Sequence, residues 1–317
     1  MDPVRSVPAG QLQKILTASD QPSGGSGTTL VLGQARVDRL VDLPRFEMKL
    51  ASLFPDATLE ALEGERGWLE PRFLNGDIVH LAIQTMVLRL EGKVILVDTC
   101  VGEHKPRPRH PAWDRRKATS YLTRLAGLGL HPEDVDYVLC THLHADHIGW
   151  NTQWSGGRWV PTFPRARYLV GRSELAHWED RRRGQGAEQV NHGSYEDSVL
   201  PVMAAGLLDR VDADDSPLPG LKLRALPGHT PGQVGLEYRR SGTRALFIGD
   251  AMHHPVQLVR PEWSSGLCTD PDLARVTRRS FLEEAAEERM WLIPAHFIEM
   301  TGVQVKRAGN GFRPASM

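Results

Sequence analysis

The sequence predicts an α+β protein whose β-sheets are covered by helices, and three observations carry that expectation. Strand-like runs are grouped early, between residues 28 and 102; they then alternate with helical segments; and the apolar strands of the second half repeatedly end on His or Asp. Residues 1–27 finish in the Ser/Gly-rich stretch "SDQPSGGSG", whose chain entropy is costly to freeze. We therefore read a flexible arm followed by a single domain over 28–317, the arm being where a homodimer contact would form. The segment "TTLVLGQARVDRLVD" (28–42) has strand composition, and 54–69 reads as a short helix opened by Pro55 and Asp56. Residues 78–102 read as two strands joined by a turn around Glu91 and Gly92, and a helix near 117–127 precedes the apolar strand Val135–Cys140. Further strands are expected at 166–171, 221–228, 233–240 and 244–250. A helix over 271–288 starts with Asp270 as cap and Pro271 in its first turn, and 291–297 is expected to be the last strand before an irregular C-terminus.

The bulk properties exclude several classes of function. With 38 Lys and Arg against 39 Asp and Glu, the formal net charge is −1, so no basic field is available for nucleic acid. Cys100, Cys140 and Cys268 are too few and too scattered for a disulfide framework or a zinc ribbon, which fits a reducing, cytoplasmic setting. No run of about 18 apolar residues and no export-type leader is seen, so neither membrane insertion nor secretion is expected. What remains is a globular protein acting on a small molecule.

The chemistry concentrates in "CTHLHADHIGWN" (140–151), where His142, His144, Asp146 and His147 fall within six positions directly after an apolar strand. Imidazole nitrogen and carboxylate oxygen are good ligands for zinc and neighbouring divalent metals. In an extended segment, residues 142 and 144 point the same way and can reach one ion, while Asp146 and His147 on the following turn can swing towards a second. Gly149 permits a tight departure of the backbone. Further ligand-type residues follow at strand ends: His229 in "LPGHTPG", Asp250 in "LFIGDAMHH" and His296 in "LIPAHF".

These motifs, in this order, resemble the metallo-β-lactamase superfamily over most of residues 28–310. The resemblance implies an αββα sandwich, two mixed β-sheets face to face with helices outside. It also implies two divalent metal ions, with zinc as the expected identity. His142, His144 and His229 would hold the first ion, Asp146, His147 and His296 the second, and Asp250 would bridge both. Asp98, at the end of the strand in "VILVDTC", looks like the family's supporting aspartate, with Cys100 standing where the family has glycine. The implied activity is hydrolysis of an ester, lactone or thioester carbonyl by a hydroxide shared between the metals. Phosphotriester hydrolysis is the runner-up, and an iron-dependent persulfide dioxygenase is the alternative from another class.

In layout the chain is most similar to acyl-homoserine lactonases and methyl-parathion-type organophosphate hydrolases. Lactonases of this type carry Tyr three residues after the bridging Asp, whereas this chain has His253. Asp146 and His253 are accordingly the catalytic candidates, His253 as a proton donor at the pocket wall. Trp150 and Trp263 are divided between pocket and core, Cys140 is read as core, and the run "RRRG" (181–184) as solvated surface after a helix.

Overall fold

The computed structural model describes residues 29–185 and 190–316; the arm expected at 1–27, with Thr28, lies outside the described residues. The chain opens with β1 (Thr29–Leu32) and β2 (Ala35–Lys49), so the early strand stretch is a hairpin turning at Gly33. Next come α1 (Leu50–Leu53), a 3-10 turn running into α2 (Arg66–Leu69), and β3 (Leu74–Asn75). The helix expected over 54–69 is corrected here. Pro55 and Asp56 lie in a turn, and helical structure starts at Glu60, where the Thr58 hydroxyl accepts the Ala61 N–H at 3.3 Å. The expected hairpin follows as β4 (Ile78–Leu90) and β5 (Lys93–Val97), with Glu91 and Gly92 turning at positive φ.

After α3 (Tyr121–Gly127) come β6 (Tyr137–Cys140), the small hairpin β7 (Thr152–Ser155) and β8 (Arg158–Pro161), then β9 (Arg167–Gly171). The "RRRG" run lies inside α4 (Arg172–Gln185) rather than beyond a helix, with Arg181 and Arg183 exposed. α5 (Leu200–Ala204), β10 (Leu208–Val211), β11 (Leu221–Ala225), β12 (Val234–Arg240), β13 (Thr243–Gly249) and α6 (Val256–Val259) lead to α7 (Pro271–Glu288). The start of α7 is as read from the sequence, with the Asp270 carboxylate accepting the Leu273 N–H at 2.9 Å. β14 (Trp291–Pro294) stops at a residue with no backbone N–H to donate. The expected irregular C-terminus is instead a hairpin, β15 (Val305–Ala308) and β16 (Gly311–Pro314), closed by a two-residue Gly309–Asn310 turn.

Apart from the two-stranded hairpins β7–β8 and β15–β16, the strands form two mixed sheets. The first runs β1-β2-β4-β5-β6-β9-β10, with β3 on β4; β5, β6, β9 and β10 pair in parallel and the others antiparallel. The second is β11-β12-β13-β14, antiparallel except for the last pair. Period-2 alternation assigns each face. Ile95, Val97 and Leu139 point between the sheets to meet Leu223, Leu236 and Phe247, while Leu96, Val138 and Cys140 point outward under α3, α4 and α5. The outer face of the second sheet, through Leu246 and Leu292, packs on Phe281 and Leu282 of α7. The four layers are therefore helix, sheet, sheet, helix. Among the described residues, no helix is long and apolar enough to cross a membrane.

Two loops cross closely at the ends of β5 and β6. Gly149 N–H donates to the Cys100 carbonyl at 2.7 Å and Trp150 N–H to the Thr99 carbonyl at 2.8 Å. Asp98 and Cys100 both sit at positive φ, 60° and 55°, a conformation costing a non-glycine residue about 1–2 kcal/mol. The close approach has moved to Gly149, where an added Cβ would fall 1.9 Å from the Val101 carbonyl carbon. Gly149→Ala should therefore destabilise the fold by roughly 1–3 kcal/mol through overpacking, measurable as a lower denaturant midpoint. A midpoint equal to that of the wild type would show that the crossing is loosely packed.

Candidate metal centre

The loops that leave β6, β11, β13 and β14 all emerge at the same end of the two sheets, and each carries ligand-type side chains. Loops at strand ends are free of ladder hydrogen bonds, while their roots are fixed by the buried sheets, so side chains there can converge with little freedom. Two groups form: His142, His144, His229 and Asp250, and then Asp146, His147 and His296, the nitrogens and oxygens of each lying within 4.8 Å of one another.

The distances divide Asp250 between them. In the first group, His144 Nδ1 is 3.0 Å from His142 Nε2 and 2.8 Å from His229 Nε2. Asp250 Oδ2 completes that group, 3.3 Å from His229 Nε2 and 3.8 Å from His142 Nε2. In the second, His296 Nε2 is 3.2 Å from His147 Nε2, and Asp146 Oδ2 is 3.7 Å from both. Asp250 Oδ1 faces this second group, 3.0 Å from His296 and 3.3 Å from His147. One carboxylate thus offers one oxygen to each trio.

The donor set fits divalent metal ions. Ligand atoms about 2.0–2.2 Å from a tetrahedral centre are separated by roughly 3.3 Å, close to the spacings here. The outward ring nitrogens of His142, His147, His229 and His296 are hydrogen-bonded, which turns the lone pairs of the inward ones to common points. His142 Nδ1 meets Thr141 Oγ1 at 3.1 Å, and that hydroxyl donates onward to Asp98 at 2.9 Å. His147 Nδ1 meets Asp98 Oδ2 directly at 2.9 Å, and His296 Nδ1 meets the Ala82 carbonyl at 2.8 Å. His229 Nδ1 faces the Cys268 thiol at 3.7 Å. Asp98, the expected supporting aspartate, is thus under two ligands at once.

Burial is the leading influence on these imidazoles. It holds His142 and His229 well below the ordinary histidine range and brings His144 down to about 4. For His147 and His296 burial acts in the same direction and is the largest single influence, but the carboxylates together, Asp250 foremost with Asp146 and, for His147, Asp98, outweigh it and their pKa values rise. Burial would raise Asp250, and the histidines His296, His147 and His253 overcome it, leaving the carboxyl well below its usual range. Burial thus favours the neutral imidazole in the first trio, the form that ligates metal.

His253 is 2 % exposed, its Nε2 is 3.3 Å from Asp250 Oδ2, and among the described residues neither ring nitrogen has a hydrogen-bond partner. Its backbone is held by the Gln257 side chain, which accepts the His253 N–H at 2.7 Å. The other residues weighed from the sequence lie elsewhere. Trp150 is buried and stacked on Tyr121 at 4.8 Å, and Trp263 packs in the layer under α7, so neither lines the pocket. Cys140 is buried beneath the first sheet, where burial pushes its thiol up to about 12.

Over the metal ligands opens a cavity of about 190 Å³. Phe46, Met48, Leu53, Leu81, Ile83 and Leu267 give the lining its apolar part, Trp113 continues it in ring contact with Phe46 at 5.6 Å, and His110, Asn191, His192, Asp146, Asp250 and His253 supply the polar part. His110 stacks on Trp113 at 4.4 Å, and His192 meets His110 edge-on at 4.6 Å. Asn191 also accepts the Ala145 N–H at 3.1 Å and donates to the Leu143 carbonyl, clasping the 142–147 loop. Beyond the metal ligands and His253, none of these lining residues is singled out by the sequence. They come from segments far apart in the chain, and the one local cue was the aromatic and imidazole pairing in "HPAW" (110–113).

The family profile described as the Metallo-beta-lactamase superfamily matches residues 80–296. An N-acyl homoserine lactonase of Bacillus sp is 26% identical over 241 residues, covering 71% of this chain and 84% of that protein. The lactonase of Bacillus cereus is also 26% identical, over 190 residues that span 55% of this chain and 65% of that protein, just under two thirds of its length. Among solved structures, the hydrolase AbOPH superposes with a TM-score of 0.76 at 24% identity, covering 94% of this chain and 99% of that one. AidC, described as a dizinc quorum-quenching lactonase, superposes with a TM-score of 0.71 at 21% identity over the same shares. With the αββα layers in place and the profile spanning every expected metal ligand from His142 to His296, the chain belongs to the metallo-beta-lactamase superfamily.

Proposed function

We propose that this protein is a dinuclear metal-dependent hydrolase that opens esters or lactones of neutral, largely apolar substrates. The observation that carries the reading is the division of the Asp250 carboxylate, one oxygen to each ligand trio. Likeness to N-acyl homoserine lactonases supports the bond class. Two divalent ions bound there, zinc by their ligand chemistry, would bring a water's pKa near neutrality and polarise the oxygen of the group under attack.

The chain's own residues supply the rest. The wall from Phe46 to Ile83 removes water from the reacting group and takes up apolar substrate surface. Trp113 and His110 give a flat face against which a planar ester or ring can lie. Among the described residues, no Lys or Arg lines the cavity, so an anionic substrate meets no counter-charge from them beyond the ions. His253, with an unpaired nitrogen 3.3 Å from Asp250, is positioned to donate a proton to the departing oxygen. A neutral phosphotriester meets the same requirements and is the second reading. Seven donors in two groups argue against a single-iron dioxygenase.

The test is elemental analysis combined with an activity panel of aryl esters, lactones, thioesters and phosphotriesters. We expect close to two ions per chain and loss of activity on chelation that divalent metal restores; one tightly held iron with oxygen uptake would overturn the reading. Asp250→Asn should lower kcat by more than about 100-fold and loosen the second ion, since even a residue supporting a ligand costs 10–100-fold. Wild-type rate and metal content in that variant would remove Asp250 from the site.

His253→Ala should keep both ions and lower kcat by roughly 10²–10⁴-fold on alkyl esters and lactones. Nitrophenyl esters, whose leaving group needs little protonation, should lose far less. Loss of metal in this variant would make His253 a ligand, and an equal loss on both substrate kinds would remove its role as acid.

A further inference from the structure

Glu174, in the first turn of α4, is wholly buried, and its carboxylate joins three separate segments. Oε1 accepts the Leu143 N–H at 2.9 Å and the Trp178 indole N–H at 2.6 Å; Oε2 accepts the Gly232 N–H at 3.2 Å. Leu143 lies between His142 and His144, and Gly232 lies three residues past His229. The Trp178 ring packs edge-on against His144 at 5.4 Å. Gly232 sits so close to the helix start that an added Cβ would be 2.0 Å from Glu174 N. Among the described residues, no Lys, Arg or His forms an ion pair with Glu174; its acceptors are spent on N–H groups next to the first metal trio.

We infer that Glu174 is the positioning residue of that trio: its two oxygens fix the spacing between the 142–144 segment and the His229 loop, so the three nitrogens converge before an ion arrives. This rests on the reading that these residues hold metal. A carboxylate is needed because both of its oxygens accept. Glutamine in its place has one acceptor oxygen, and its amide nitrogen would face an N–H with another donor. Whichever way that amide turned, one arm of the bridge would be lost. Asparagine or aspartate would be too short to span both loops.

The experiment titrates zinc, in competition with a chromophoric chelator, into metal-stripped wild type, Glu174→Gln and Leu223→Ala. The last variant loosens the core between the sheets, away from the ligands. Thermal melting of the metal-stripped proteins runs alongside, and His229→Ala and His296→Ala assign the two binding phases. We expect Glu174→Gln to weaken the phase missing in His229→Ala by about 10–100-fold and to leave the other within about threefold. Leu223→Ala should lower the melting temperature with both affinities kept. Equal weakening of both phases, or affinities equal to wild type, would overturn the inference. Should Glu174→Gln not fold, Trp178→Phe removes one N–H from Oε1 and keeps a ring against His144; a several-fold loss in the same phase is then expected, and no loss overturns the proposal. A wild type that binds no zinc would instead defeat the metal reading itself.

Discussion

Everything at the mouth of this sandwich is arranged around one carboxylate that must face two ways. Asp250 stands at the end of β13, in the middle of the ring of ligand loops, with one oxygen towards His142 and His229 and the other towards His147 and His296. A buried carboxylate without positive charge beside it is costly, by several kcal/mol even after relaxation. That cost is relieved here by imidazolium or by metal. The two sheets must therefore bring strands from both halves of the chain to one end, and their outer and inner faces must be buried to hold them there.

The supports behind the ligands show how the rigidity is obtained. Asp98 bears on His147 directly and on His142 through Thr141, yet it reaches that position only because its backbone is at positive φ after β5. The same loop is pinned to the ligand loop by the crossing at Gly149. Local strain at Asp98 and Cys100 is offset by backbone hydrogen bonds that also carry the metal ligands, so the unusual dihedrals and the site are parts of one construction.

The site was more legible in the sequence than the fold around it. His142, His144, Asp146 and His147 are consecutive enough to be seen as a group, and His229, Asp250 and His296 each end an apolar strand, so their convergence needed only that the strands be parallel neighbours or face each other. The pocket wall was hidden because it is made by tertiary contact: Phe46, Trp113, His192 and Leu267 share no spacing in the chain. Strand ends were misjudged where a single residue decides the outcome. Pro294 ends β14 for want of an N–H, and the Gly309–Asn310 turn, a recognisable hairpin signal, was lost in what read as an irregular tail. Trp150 and Trp263 went to the core because their bulk is worth more buried than at a rim.

The absence of Lys and Arg among the described residues that line the cavity has a bearing on how a catalytic cycle would close. Hydrolysis of an ester or lactone turns a neutral molecule into a carboxylate. Such an anion would find apolar side chains on one wall and Asp146 and Asp250 at the floor, with only the ions to detain it. A guanidinium at the wall would have formed a bidentate pair with the newly made acid and kept it. Without one, release of the acid would be governed by how readily its carboxylate leaves the ions, and by no charge on the wall.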